Sequence, residues 1–98
     1  MARIRLSAAA RSDLARIDDY SAERFGDEVA ADYVRGFADV FEQLQRFPLS
    51  GQARPDYREG TRCKLHRSHR ILYRVTDDVV FIQRILHHSQ NVPAHLKP

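Results

Sequence analysis

HRILYRVTDDVVFIQRILH, residues 69–87, reads as two strands around a two-residue turn. β-Branched and aromatic residues fill both halves, and Asp77–Asp78 interrupts them with turn chemistry. A tight turn there sets a hairpin register in which Thr76 faces Val79 and Val75 faces Val80. Side chains alternate between the faces of a strand, so that register sorts the whole segment. One face collects Ile71, Tyr73, Val75, Val80, Ile82, Arg84 and Leu86, and is expected to be the core face. The other collects Arg70, Leu72, Arg74, Val79, Phe81, Gln83, Ile85 and His87. On that second face Leu72, Phe81 and Ile85 stand as neighbours among basic residues, an exposed cluster of the kind that marks a docking surface.

Outward from the hairpin, Arg62 to Arg67 reads as one more strand, preceded by the loop PLSGQARPDYREG at residues 48–60. Before the loop come two helices. From Ala8 to Phe25 an apolar face runs through Ala10, Leu14, Ile17, Ser21 and Phe25, with Ser7 as its N-cap. From Glu28 to Phe47 the stripe Val29, Tyr33, Phe37, Val40 and Leu44 is widened by Ala30, Val34 and Phe41, which suggests contact on two sides. Gly26 separates the helices with Asp27 as the next cap, and Pro48 ends the second. RIRL, residues 3–6, is a short first strand. The order is β-α-α-β-β-β: an α+β domain over residues 1–98, its helical hairpin packed on one face of an antiparallel sheet. Residues 88–98 form a polar C-terminal tail, ordered at most over Ala94–Leu96.

At 98 residues the chain has room for one compact domain. No apolar run approaches the roughly 20 residues that span a bilayer, and the opening MARIRLSAAARSDL breaks its apolar residues with charges, so neither signal peptide nor anchor is expected. Cys63 is the sole cysteine, which excludes an internal disulfide and points to a cytoplasmic protein. The net charge of +3 conceals an asymmetry: residues 13–42 hold nine acids against three arginines, whereas residues 58–74 hold six Lys and Arg against Glu59 alone. A basic patch attracts any polyanion, nucleic acid or acidic protein alike. Five histidines raise the question of a metal, but His66 and His69 flank a turn and need not converge, and histidine-only sets match structural zinc patterns poorly. Cys63 has no acid–base pair beside it and reads as a small strand residue. Neither a cofactor nor a metal is expected.

Taken in order, LSAAARSDLARIDDYSAERFG (6–26), FADVFEQLQRFPLSGQ (37–52), SHRILYRV (68–75) and FIQRILHHSQNVPAHL (81–96) resemble the ParE-type toxins of the RelE/ParE superfamily, from bacterial type II toxin–antitoxin modules. The resemblance spans nearly the whole chain. It implies a toxin neutralised by a ParD-type antitoxin, a ribbon-helix-helix protein encoded alongside. The ParE branch implies inhibition of DNA gyrase by protein docking, without enzymatic chemistry or a direct need for nucleic acid. Arg70, Arg74, Phe81, His87, Asn91, His95 and Leu96 are then expected to meet the target. Leu14, Ile17, Tyr33, Phe37, Phe41, Leu72 and Ile85 are expected under the antitoxin. The RelE branch implies the alternative, a ribosome-dependent mRNA endoribonuclease. Cleavage through the 2′-hydroxyl needs a base, an acid and cations around the phosphate, and Lys64, Arg70, Arg74 and His87 are the residues that could supply them. Fold alone does not choose between the branches.

Overall fold

The computed structural model describes residues 1–97; Pro98, the last residue of the expected tail, lies outside the described residues. The elements are β1 (Arg3–Leu6), α1 (Ala8–Phe25), α2 (Asp27–Arg46), β2 (Gln52–Ala53), β3 (Arg62–His66), β4 (His69–Thr76) and β5 (Val79–His87), followed by a 3₁₀ turn over Ala94–Leu96. Two helices packed on a five-stranded sheet make the α+β architecture expected from the sequence. The strand order is β1-β5-β4-β3-β2. From β2 to β5 the pairing is antiparallel, but β1 joins β5 in parallel, so the sheet is mixed rather than wholly antiparallel.

Each helix boundary has a local cause. The Ser7 hydroxyl accepts from the Ala10 amide at 2.9 Å and donates to the Gln83 carbonyl at 2.7 Å, so the cap of α1 is also a clip to β5. Gly26 sits at φ +90°, where a side chain would be strained, and it closes α1 and opens α2 by itself. Asp27 is the first helical residue and not the cap expected of it; there its charge complements the helix N-terminus.

The main core lies between the helices and the sheet, built on Ala10, Phe37, Val40 and Leu44 against Ile71, Tyr73, Val80, Ile82 and Ile85. Tyr73 is fully buried, and its hydroxyl donates to the Pro48 carbonyl and accepts from the Gly51 amide, both at 2.8 Å, which ties the loop to the core. A second, smaller core lies on the opposite sheet face, where Tyr57, Cys63, Leu72, Leu86 and Leu96 come together with Val92. The tail is therefore a packed cover, anchored by Leu96 and by the Arg58 amide donating to the Leu96 carbonyl at 2.7 Å. Among the described residues no helix is long and apolar enough to cross a membrane.

The hairpin register holds only near its turn. Val75 faces Val80 and Tyr73 faces Ile82, but Leu72 faces Arg84, so Gln83 is an extra residue on β5. Such a bulge inverts the facing of everything beyond it. Ile85, expected on the outer face, packs in the main core opposite Ile71, and Leu86, expected in the main core, lies in the second core. Leu72 and Ile85 are consequently buried on opposite faces, and the expected exposed cluster of Leu72, Phe81 and Ile85 does not form; Phe81 alone of the three is exposed.

Candidate functional site

The bulge also decides what the candidate residues can do together. Arg70 and Arg74 pair with Leu86 and Phe81 on the outer face, whereas His87 pairs with His69 on the helix side. They do not share the face expected of them. Lys64 lies opposite Ile71 and reaches Ser50 at 3.3 Å. Both terminal nitrogens of Arg70 are engaged, donating to the Tyr57 hydroxyl at 2.9 Å and to the carbonyls of His87 and Gln90 at 3.2 and 2.6 Å, while its Nε is buried without a partner. Arg70 thereby staples the 48–60 loop to the segment after β5, and both of its outer nitrogens are taken. Sequence reasoning missed Tyr57, because a lone tyrosine in a Pro/Gly loop carries no sign that it will fold onto a strand.

On the helix side of the sheet, beside His87 and Gln90, a groove of about 690 Å³ opens between the tip of the helical hairpin and the ends of β4 and β5. Ile17, Tyr20, Phe25, Val29 and Tyr33 wall it, and His69, Ile85 and His87 line its sheet side. Tyr20, Phe25 and Val29 are each at least half exposed, a large apolar rim for so small a protein. Its wall rests on a buried carboxylate. Asp13 accepts from Arg84 Nε and a second Arg84 nitrogen at 2.8 and 2.9 Å, from Arg16 at 2.8 Å and from the Ile85 amide at 2.9 Å. Burial pushes the Asp13 carboxyl up, but these hydrogen bonds and the two guanidinium charges outweigh it and hold the group below its ordinary value.

Histidines fill the floor. His66 and His69 do converge: they pair across the β3–β4 turn, and both rings pack on Tyr33 and Phe37. Gly36 makes room for this, since a Cβ there would overlap the His66 ring. His66 Nε2 lies 3.1 Å from the Tyr33 carbonyl, and His69 Nδ1 lies 2.7 Å from the Tyr33 hydroxyl. His69 and His87 stand 5.3 Å apart, and His87 and His88 4.2 Å. Burial, then the charges of His87, His66 and His88, push His69 down to about 4. A neutral His69 takes the Tyr33 hydroxyl as donor. Among the described residues no group of three or more His, Cys, Asp or Glu side chains is placed to hold a metal ion. His87 ends its strand as a local cap, with Nδ1 facing the Ser89 hydroxyl at 2.7 Å and the Ser89 amide at 3.2 Å. Burial pushes the Cys63 thiol up, away from the reactive thiolate.

The His69 shift has a direction in pH. Its folded value lies below the ordinary 6.5, so the unfolded chain takes up the proton first. This contribution to stability is complete above about pH 6.5 and is lost as the pH falls from there toward 4. Unfolding free energies from urea titrations at pH 7.5 and pH 5 should differ by about 1–2 kcal/mol more in the native chain than in His69→Gln. An equal pH slope in both proteins would remove His69 as the cause.

The remaining expected contact residues divide by burial. Phe37, Leu72 and Ile85 are wholly enclosed in the two cores, and Leu96 is nearly so, which leaves them unavailable to a docked partner. Leu14, Ile17, Tyr33 and Phe41 are half-buried, and Asn91 and His95 are exposed on the tail.

Residues 4–92 match the family model described as the ParE toxin of the type II toxin–antitoxin system parDE. Toxin ParE1 of Caulobacter vibrioides is 42% identical over 94% of this chain and 95% of its own length. Toxin ParE1 of Mycobacterium tuberculosis is 32% identical over 96% of this chain and 97% of its own. Among solved structures, the chromosomal ParDE system of P. aeruginosa superposes with a TM-score of 0.77 at 27% identity, covering 89% of this chain and 96% of that one. The RelBE2 toxin–antitoxin complex of M. tuberculosis gives 0.61 at 31% identity, covering 88% and 96%.

Proposed function

This chain belongs to the ParE toxin family of type II toxin–antitoxin systems, and from that membership we propose that it inhibits DNA gyrase by docking on it, without cleaving any substrate, and is neutralised by a ParD-type ribbon-helix-helix antitoxin. The action is cytoplasmic, where gyrase works. The observation that carries docking over catalysis is the bulge at Gln83: it sets His87 on the opposite side of the sheet from Arg70 and Arg74. A base and the cations meant for one phosphate have to converge on it, and Arg70 is already spent on Tyr57, His87 and Gln90. The competing reading, ribosome-dependent mRNA cleavage, has the likeness to the RelBE2 complex in its favour.

The groove at the hairpin tip is the surface best suited to the antitoxin. Its rim of Tyr20, Phe25 and Val29 offers an apolar segment the aromatic anchors on which binding energy concentrates. Of the residues expected under the antitoxin, Ile17 and Tyr33 lie in it half-buried, and Ile85 lines its sheet side from within the core. Joint replacement Tyr20→Glu and Val29→Glu is expected to weaken antitoxin binding by about 100-fold, with calorimetry as the readout; unchanged affinity would place the antitoxin elsewhere. For the target, purified chain added to gyrase and relaxed plasmid should suppress supercoiling, and addition of the antitoxin should restore it. Full supercoiling with a folded chain in excess would reject gyrase as the target.

A further inference from the structure

On the sheet face away from the helices, three adjacent strands bring Arg5, Phe81 and Arg74 into one lateral row: Arg5 of β1 pairs with Phe81 of β5, and Phe81 with Arg74 of β4. Strands lie about 4.8 Å apart, so the two arginine backbones stand about 10 Å apart with the ring between them. Phe81 is 39% exposed. Among the described residues neither Arg5 nor Arg74 has an ion-pair or side-chain hydrogen-bond partner, in contrast to Arg70 on the same face, which has three. Arg3 extends the row toward the turn, and its 3.7 Å contact with Asp78 is between two exposed groups and holds it only weakly. Nine of the chain's thirteen acids fall within residues 13–42, on the helices that cover the other sheet face, while Asp77 and Asp78 stand at the turn beside Arg3. Among the described residues neither Arg5 nor Arg74 forms an ion pair with an acid.

We propose that this row binds a short acidic segment of a partner protein, with carboxylates on Arg5 and Arg74 and an apolar side chain on Phe81 between them. A free guanidinium takes a carboxylate in a two-pronged hydrogen bond, and the outer side of a sheet gives an extended segment a flat bed. Nucleic acid fits less well. A strand of it needs a track of cations for successive phosphates, and here the track stops after two or three residues, where the tail and the 48–60 loop close over the second core. The inference rests on the docking reading only for who the partner is.

The test uses the whole chain and two fluorescent probes: a short peptide repeating Glu, Leu and Gly, and an oligothymidylate of equal net charge. The native chain should bind the peptide more tightly than the oligonucleotide at low salt. Arg5→Glu with Arg74→Glu should weaken peptide binding at least about tenfold, and Phe81→Ser about fivefold, while all variants keep the native melting temperature to within a few degrees. No peptide binding by the native chain would overturn the proposal. So would peptide binding indifferent to the arginine pair, or tighter oligonucleotide binding lost with the same substitutions. Gyrase is absent from this experiment, so failure in the supercoiling assay and failure here are separate results.

Discussion

Replacement of Asp13 by alanine is expected to cost about 3–5 kcal/mol, the range seen when one member of a buried ion pair is removed. The carboxylate is 4% exposed and serves Arg84, Arg16 and the Ile85 amide at once. Alanine leaves the Ile85 N–H without an acceptor inside the protein and strands the Arg84 guanidinium beside the core. A domain of this size has about 5–15 kcal/mol in all, so the variant should unfold at much lower urea and melt well below the native chain. Asp13→Asn keeps the shape and one acceptor oxygen and should lose less. Because Asp13 is held below its ordinary value, its contribution is present above the unfolded value near 3.9 and is lost as the pH falls through the folded value. If D13A melted within a degree or two of the native chain, the carboxylate would not be the clamp between α1 and β5.

Deletion of Gln83 tests the bulge itself. Without the extra residue β5 pairs with β4 unbroken, Leu72 still faces Arg84 and Ile71 still faces Ile85, so Ile85, Leu86 and His87 keep the faces they have. The loss is local: the Ser7 hydroxyl gives up the Gln83 carbonyl it donates to, and the bend and added twist of the bulge go with it. The cost is expected to be about 1–3 kcal/mol, with cooperative unfolding retained, read by circular dichroism in a urea titration. Gln83→Ala, which keeps the bulge and its carbonyl, should lose less. A deletion variant without cooperative unfolding would show that the fold depends on the bulge beyond the register it sets.

The helices were legible because several local signals agreed. A 3.6-residue apolar period, the Ser7 cap, Gly26 and Pro48 all mark the same boundaries. The bulge was not legible, and QRILH explains why. Ile85 and Leu86 are adjacent and both apolar, so either register puts one of them in the main core. A strand buried on both faces loses the alternation from which facing is read. The second core was hidden for a related reason: the tail NVPAHL has one large apolar residue with no periodicity around it, and nothing near Leu72 announces that Leu96 will cover it. These two omissions account for the misplaced surface. Leu72 and Ile85 were expected under a partner because their faces were thought open, and Arg70, Arg74 and His87 were expected together because the register was extended unbroken. The parallel pairing of β1 was missed because a four-residue strand carries no mark of its partner's direction.

The measurement closest to the central claim is a pulse of expression without antitoxin, with plasmid topology and transcript integrity read from the same cells. Docking on gyrase predicts cleaved or abnormally supercoiled DNA beside intact transcripts, an outcome unchanged by His87→Gln. Truncated transcripts with normal DNA topology would contradict it, and would make Lys64, Arg70, Arg74 and His87 an active site despite their separation across the sheet.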